Sequence, residues 1–290
     1  MSEQRKERAT KMKVVLFCGG FGMRIREFSE KIPKPMVNIG YRPLLWHVMK
    51  YYSYFGHKDF ILCLGYKGDM IKNYFLNYNE CLSNDFVLTN GGKSIKLLNS
   101  DTDDWKITFV DTGLHSNLGQ RLLNVKKYLE GEEIFLTNYS DGLTDLNLDS
   151  YIDNFMKNDK IACFLSVKPN LSVHHVTIEN ENHVTGIQHL TRAGIWLNGG
   201  YFIFKKEIFD YIKYGEELVE EPFRRLIKNE KIMTQKHNGF WIGMDTFKDR
   251  QQLEENFTKG DAPWEVWRKN TNNKSDVMYE PGSSEKPGIG

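Results

Sequence analysis

The segment Lys13–Cys18 is almost uniformly apolar, the pattern of a parallel strand covered on both faces. It runs directly into Gly19-Gly20-Phe21-Gly22. Leu44, Leu45, Val48, Met49 and Tyr52 then recur at helical spacing, predicting a helix over 43–56. Asp59–Leu64 reads as a second buried strand, and Gly68-Asp69 opens a helix over 70–76. This β-turn-α-β-α rhythm predicts an α/β domain with a parallel sheet. Phe86–Lys96 and Trp105–Thr112 read as strands around a polar turn. A helix over 119–129 ending at Gly131, a strand over 133–137, a helix over 148–158 and a strand over 161–167 continue the alternation. Residues 173–187 alternate like an antiparallel hairpin. A strand over 195–204, a helix over 219–229, a strand over 231–237 and a helix over 251–257 complete the series. The expected fold is Rossmann-like: a mixed, mostly parallel central sheet flanked by helices, with a small antiparallel subregion.

Composition narrows the function. The chain has 290 residues, 39 basic and 38 acidic, for a net charge of +1. That balance gives no case for nucleic acid as partner, although a local basic site remains open. A hydrophobic content of 40% excludes disorder throughout. The expected organisation is a flexible extension over 1–12, a single domain over 13–267 and a polar, disordered tail over 268–290. The polar start lacks a secretory core segment and no run of 18 apolar residues occurs, so a cytoplasmic protein without membrane contact is expected. Cys18, Cys63, Cys81 and Cys163 lie far apart without a CxxC, which favours free, mostly buried thiols.

Three features carry chemistry. The glycine loop after the first strand can turn backbone N–H groups toward phosphate, or can be a plain tight turn. Arg24 and Arg26 follow it, and Lys34 stands between Pro33 and Pro35, where fixed φ angles limit the entropy lost in holding a side chain. Asp141 follows a strand, at a sheet end where open α/β domains place ligands, and Asp245 follows the apolar-rich stretch 239–244; either alone can be a turn cap. Together with a phosphate-gripping loop they suggest a hard-cation site, since Mg²⁺ takes one or two carboxylates plus phosphate oxygens and water. The residues alone reach no further than a nucleotide or phosphate enzyme.

GGFGMR at 19–24, PKPMVNIG at 33–40, SDG at 140–142, SVKP at 166–169, WLNGGYFIF at 196–204, EEPFRRL at 220–226 and GFWIGMDTFKD at 239–249 carry a resemblance. With them the chain resembles the sugar-nucleotide pyrophosphorylases, a nucleotidyltransferase family, and within it the glucose-1-phosphate cytidylyltransferase branch. The resemblance implies that CTP and a sugar 1-phosphate, by default glucose 1-phosphate, react to give a CDP-sugar and pyrophosphate. It implies that Gly19, Gly20, Gly22 and Met23 wrap the nucleotide and that Arg24 and Lys34 neutralise its phosphates. Thr112, Gly119 and Arg121 would lie near the base, with Arg121 reading cytosine O2. Asp141 and Asp245 would hold Mg²⁺, the implied cofactor. Lys168 would bind the sugar phosphate; Asn198, Gly199 and Glu220 would line the sugar pocket, beside the antiparallel subregion. A homo-oligomer is also implied. Two positions depart from the family pattern: Ser140 stands where glycine is usual and is expected to reshape the metal or sugar edge, and Met23 replaces a threonine hydroxyl. His174 and His175 either face the sugar or pack ordinarily. Competing readings are the same fold with another hexose or heptose 1-phosphate or another nucleotide, a metal-dependent glycosyltransferase, and a non-catalytic nucleotide-sugar sensor.

Overall fold

The computed structural model describes residues 11–21, 32–102, 104–170 and 173–268. Gly22, Met23, Arg24 and Arg26 lie outside the described residues, as do most of the N-terminal extension and the tail from residue 269.

The central sheet has seven strands: β1 (Lys13–Phe17), β2 (Asp59–Leu64), β3 (Lys106–Asp111), β4 (Ile134–Asn138), β5 (Ala162–Val167), β6 (Leu197–Lys205) and β7 (Ile232–His237). Their order is β7-β5-β6-β4-β1-β2-β3. β1 pairs in parallel with β2 and β4, β2 with β3, and β5 with β7; β6 alone runs against its neighbours β4 and β5. The mixed, mostly parallel α/β sheet expected from the apolar runs is therefore present. Alternate residues feed two cores. Val14, Leu16 and Cys18 face one layer, while Val15 and Phe17 face the other. The first layer is closed by α1 (Leu44–Tyr54), α2 (Gly68–Leu76), α4 (Leu148–Met156) and α6 (Phe247–Thr258). The second is closed by α3 (Leu118–Val125) and α5 (Glu221–Lys228). Each fully buried aliphatic or aromatic side chain contributes about 1.5–3 kcal/mol relative to exposure.

Local chemistry sets the element ends. Pro43 stands as the extended N-cap of α1 and disfavours helical backbone at Arg42 before it. α6 begins at Phe247, a turn before the helix expected over 251–257. Thr246 accepts from the Asp249 N–H while the Asp249 carboxylate accepts from the Thr246 N–H, a reciprocal cap that nucleates the earlier turn. Phe86–Lys96 and Trp105–Thr112 do not pair with one another. Phe86–Thr89 and Ser94–Leu97 form their own hairpin, and β3 joins the main sheet instead. The excursion between α2 and β3 is tied down by Arg42. Its buried guanidinium bonds Ser83 and the Asn79 carbonyl (2.9 Å) and lies 4.3 Å from the Tyr78 ring centre. The hairpin expected over 173–187 is present as His174–Glu179 against His183–His189, with His174 opposite His189 and His175 opposite Gln188.

Cys18, Cys63 and Cys163 are buried free thiols and Cys81 is half-buried. Among the described residues no helix is long and apolar enough to cross a membrane.

Two histidines are locked neutral inside this frame. His47 donates from Nε2 to the Ile39 carbonyl (3.0 Å) and accepts the Trp264 indole N–H at Nδ1 (3.3 Å). His57 Nδ1 accepts the Met12 N–H (3.0 Å). Burial pushes both imidazoles down to about 4 from 6.5. Below pH 6.5 the unfolded chain therefore binds protons that the folded chain refuses until about pH 4. Their stabilisation is complete above the unfolded value and drains as pH falls through this window, at up to about 1.4 kcal/mol per pH unit for each group. Denaturant titrations between pH 7.5 and 5 should give a falling midpoint, and His47→Gln with His57→Gln should flatten that dependence whatever its effect on absolute stability.

α3 approaches the chain at Glu216 so closely that a Cβ on Gly119 would collide with the Glu216 carbonyl oxygen. Gly20 has nothing within 4 Å of such an atom. Gly119→Ala should lower stability by about 1–3 kcal/mol through overpacking, whereas Gly20→Ala should leave the melting temperature unchanged. Equal melting temperatures for the two variants would contradict the close approach.

Candidate active site

The carboxyl ends of β1 and β4 open on one side of the sheet, where an open α/β fold concentrates its ligand-binding loops. After β1 comes Gly19-Gly20-Phe21. The Gly19 carbonyl accepts from the Tyr66 N–H (3.2 Å) and from Arg121 (3.0 Å), and Phe21 packs against the rings of Tyr66 and His115. A cleft of about 580 Å³ lies here, within the range of small-molecule sites. Gly19, Gly20, Arg121 and Asp141 all line it, four of the positions singled out from the sequence.

Lys34 sits in a one-turn 3₁₀ helix, Lys34–Met36, entered from Pro33 in extended conformation and followed at once by Pro35. Its Nζ donates to Asp141 Oδ2 and Asp245 Oδ1, both at 2.8 Å. The two aspartates meet because Gly142–Thr144 pairs antiparallel with Trp241–Gly243, Gly142 opposite Gly243. One bond further out, the Met244 N–H donates to the Asp141 carbonyl (2.8 Å). The small ribbon thus brings together carboxylates more than a hundred residues apart in sequence. Burial pulls the Lys34 ammonium down, but attraction and hydrogen bonding from Asp141 and Asp245 outweigh it, so its pKa lies above the ordinary lysine value. The lysine is charged at neutral pH.

The chemistry of this donor set fits a hard divalent cation. Both carboxylates converge on one cationic position, and both offer oxygen ligands. Among the described residues no cluster of three or more acidic, histidine or thiol groups forms a closed cage. Mg²⁺ sites commonly complete their shell from substrate phosphates and water rather than from such a cage.

The other candidates occupy distinct places. Arg121 is buried, and its two terminal nitrogens donate to Thr112 Oγ1 (2.7 Å), Leu64 O (3.1 Å), Gly19 O (3.0 Å) and Leu114 O (3.5 Å). It braces the glycine loop against the ends of β2 and β3. Thr112 serves the same brace, donating to the Leu64 carbonyl (2.7 Å). Asn198 donates to the Tyr139 hydroxyl (2.9 Å), and Gly199 accepts the Trp241 indole N–H (2.9 Å), linking β6 to the aspartate ribbon. Gly200 has φ of 74° and no room for a Cβ against the Tyr139 ring, so only glycine fits there. Lys168 is exposed, with its ammonium 5.9 Å from the Trp196 ring centre. Glu220 is the exposed N-cap of α5 and pairs with Arg224, while Gly119 packs on Glu216; neither is among the residues lining the cleft. Ser140 is wholly buried with its hydroxyl on the Phe17 carbonyl (2.7 Å), turned into the sheet rather than toward the site edge expected for it.

Sequence reasoning missed Tyr139, Glu217 and the Leu114–Leu118 wall, all of which line the cleft. One signal was available for the wall. Asn117 and Gln120 form a capping box, which starts α3 at Leu118 and turns its N-terminus to the cleft. Burial holds the Glu217 carboxyl above its ordinary pKa.

A family model described as nucleotidyl transferase matches residues 13–249. Glucose-1-phosphate cytidylyltransferase of Salmonella typhi is 38% identical over 258 residues, covering 88% of this chain and all of that protein. Among solved structures, HddC from Yersinia pseudotuberculosis superposes with a TM-score of 0.60 at 23% identity, over 85% of this chain and 99% of its own. UTP-bound UGPase from Acinetobacter baumannii superposes with a TM-score of 0.64 at 16% identity, over 92% of this chain and all of its own. At those identities the two structures attest the shared fold alone, whereas the family match and the Salmonella relative span most of the chain. The chain belongs to the nucleotidyl transferase family and, within it, to the glucose-1-phosphate cytidylyltransferases.

Proposed function

We propose that this protein joins CTP and a sugar 1-phosphate, α-D-glucose 1-phosphate first among them, into a CDP-sugar and pyrophosphate. The observation that carries the reading is Lys34 held by Asp141 and Asp245 beside the Gly19-Gly20 loop, in a chain of this family. The glycosyl phosphate oxygen attacks the α-phosphorus; that P–O bond forms as the bond to the β-phosphate oxygen breaks and pyrophosphate leaves. Such a displacement asks little covalent work of the protein, so positioning and charge supply the rate.

Each residue has a place in this scheme. The N–H groups of the glycine loop face the phosphates, and Lys34, kept protonated by its carboxylates, offsets charge that grows on the α-phosphate oxygens. Asp141 and Asp245 would hold Mg²⁺, with Lys34 giving up at least one of its bonds to them, and the ion would neutralise phosphate charge and orient the substrates. Arg121, already committed to chain oxygens, acts on the base through the loop it braces; a direct bond to cytosine O2 requires one of those contacts to be given up. Asn198, tied to Tyr139, and the exposed ammonium of Lys168 serve the sugar side. The preformed grip suits a triphosphate better than the diphosphate of a glycosyltransferase donor.

Pyrophosphate release measured across four nucleotides and a panel of sugar 1-phosphates tests the substrate reading. CTP with glucose 1-phosphate should be the most active pair. Transfer from a nucleotide sugar without pyrophosphate release would overturn the reading in favour of a glycosyltransferase, and nucleotide-sugar binding without turnover would favour a sensor.

Asp141→Ala and Asp245→Ala should each lower kcat by at least about 10²–10³-fold with the fold intact by circular dichroism. Near-normal turnover in either would sink the metal assignment. Lys168→Ala should raise KM for the sugar phosphate more than KM for CTP; equal shifts would remove Lys168 from the sugar side.

A further inference from the structure

Ser140 immediately precedes Asp141, and its backbone is in an uncommon state. Its φ is 64°, in the left-handed region that favours glycine. A side chain held there is strained and persists only where surrounding structure fixes it. Here that structure is plain. The residue is fully buried, its N–H donates to Asn138 Oδ1 (2.7 Å), and its hydroxyl donates to the Phe17 carbonyl (2.7 Å).

The strand register gives the bond its meaning. β1 and β4 pair through Leu16 and Asn138 and no further. Past that point one chain enters the glycine loop and the other carries Asp141. The Ser140 hydroxyl spans the gap just beyond the last paired rung, from the residue before Asp141 to the residue two before Gly19. Glycine would meet the φ requirement without strain but would leave the two branches unconnected at this level.

We propose that Ser140 is a positioning residue for Asp141: through the Phe17 carbonyl it fixes the aspartate carboxylate relative to the glycine loop. The inference rests on the reading of Asp141 as a Mg²⁺ ligand. Groups that orient metal ligands from behind typically change metal affinity or activity by about 10–100-fold when removed.

Ser140→Gly and Ser140→Ala test it, the first compatible with the left-handed backbone and the second retaining a Cβ. The readouts are steady-state kinetics, thermal melting, and Mn²⁺ affinity by electron paramagnetic resonance with a CTP analogue whose α–β bridge is methylene. Both variants should bind Mn²⁺ about 10-fold more weakly and lose about 10-fold in kcat, with KM for CTP changed by less than about 3-fold. Ser140→Gly should melt close to the parent. Parental Mn²⁺ affinity and kcat in Ser140→Gly would overturn the proposal, and so would a lowered melting temperature with unchanged Mn²⁺ affinity. Asp141→Asn is the control. If it abolishes Mn²⁺ binding while Ser140→Gly matches the parent, the positioning inference fails alone. If Asp141→Asn also leaves Mn²⁺ binding unchanged, the metal reading fails and takes this inference with it.

Discussion

An ammonium shared by two carboxylates, each at 2.8 Å, needs all three groups delivered to within a fraction of an ångström from distant parts of the chain. Two carboxylates alone at this separation would repel one another in a partly dry site. Lys34 relieves that repulsion, and its own burial is offset by them in turn. The arrangement constrains much else. Lys34 must be fixed by its flanking prolines, Asp141 must leave β4 at the right height, and Asp245 must be carried back by the ribbon between Gly142–Thr144 and Trp241–Gly243. The two cores hold the sheet from which these segments emerge.

The second constraint is close approach of backbone at the mouth of the cleft. The Arg121 guanidinium lies so near Gly19 and Gly65 that a side chain at either would collide with it. In return it satisfies carbonyl oxygens at the ends of β1, β2 and the segment after β3. A buried charge is tolerable when its donors are met in this way. On the other side Gly200 makes room for Tyr139, whose hydroxyl receives Asn198. Both walls of the cleft are thus set by polar side chains filling the space that absent Cβ atoms leave. This is a rigid scaffold of the kind that lets a phosphoryl-transfer site work by placement.

Several expectations changed once chain segments were seen side by side. Gly119 packs against the Glu216 carbonyl, a partner ninety-odd residues away that no local pattern reveals. Ser140 was expected at the site edge; its hydroxyl instead faces β1, because the left-handed backbone turns it inward. The segments Phe86–Lys96 and Trp105–Thr112 are both extended, yet they belong to different sheets, since strand propensity does not select a partner. The cleft wall at Leu114–Leu118 has no apolar periodicity to mark it and is defined only by what stands across from it.

Local pattern was enough for the α/β class, for most element positions and for naming Lys34, Asp141 and Asp245 as candidates. Short, β-branched-containing apolar runs such as Phe60–Leu64 favour covered strands, and prolines around a lysine restrict it locally, whatever the rest of the chain does. The folded chain alone brings these three charges together, commits the Arg121 donors to chain oxygens and sets Ser140 across two diverging strands. Those outcomes depend on strand register and on contacts between segments about 100 to 200 residues apart in the sequence, where a difference of one residue turns a side chain to the opposite face.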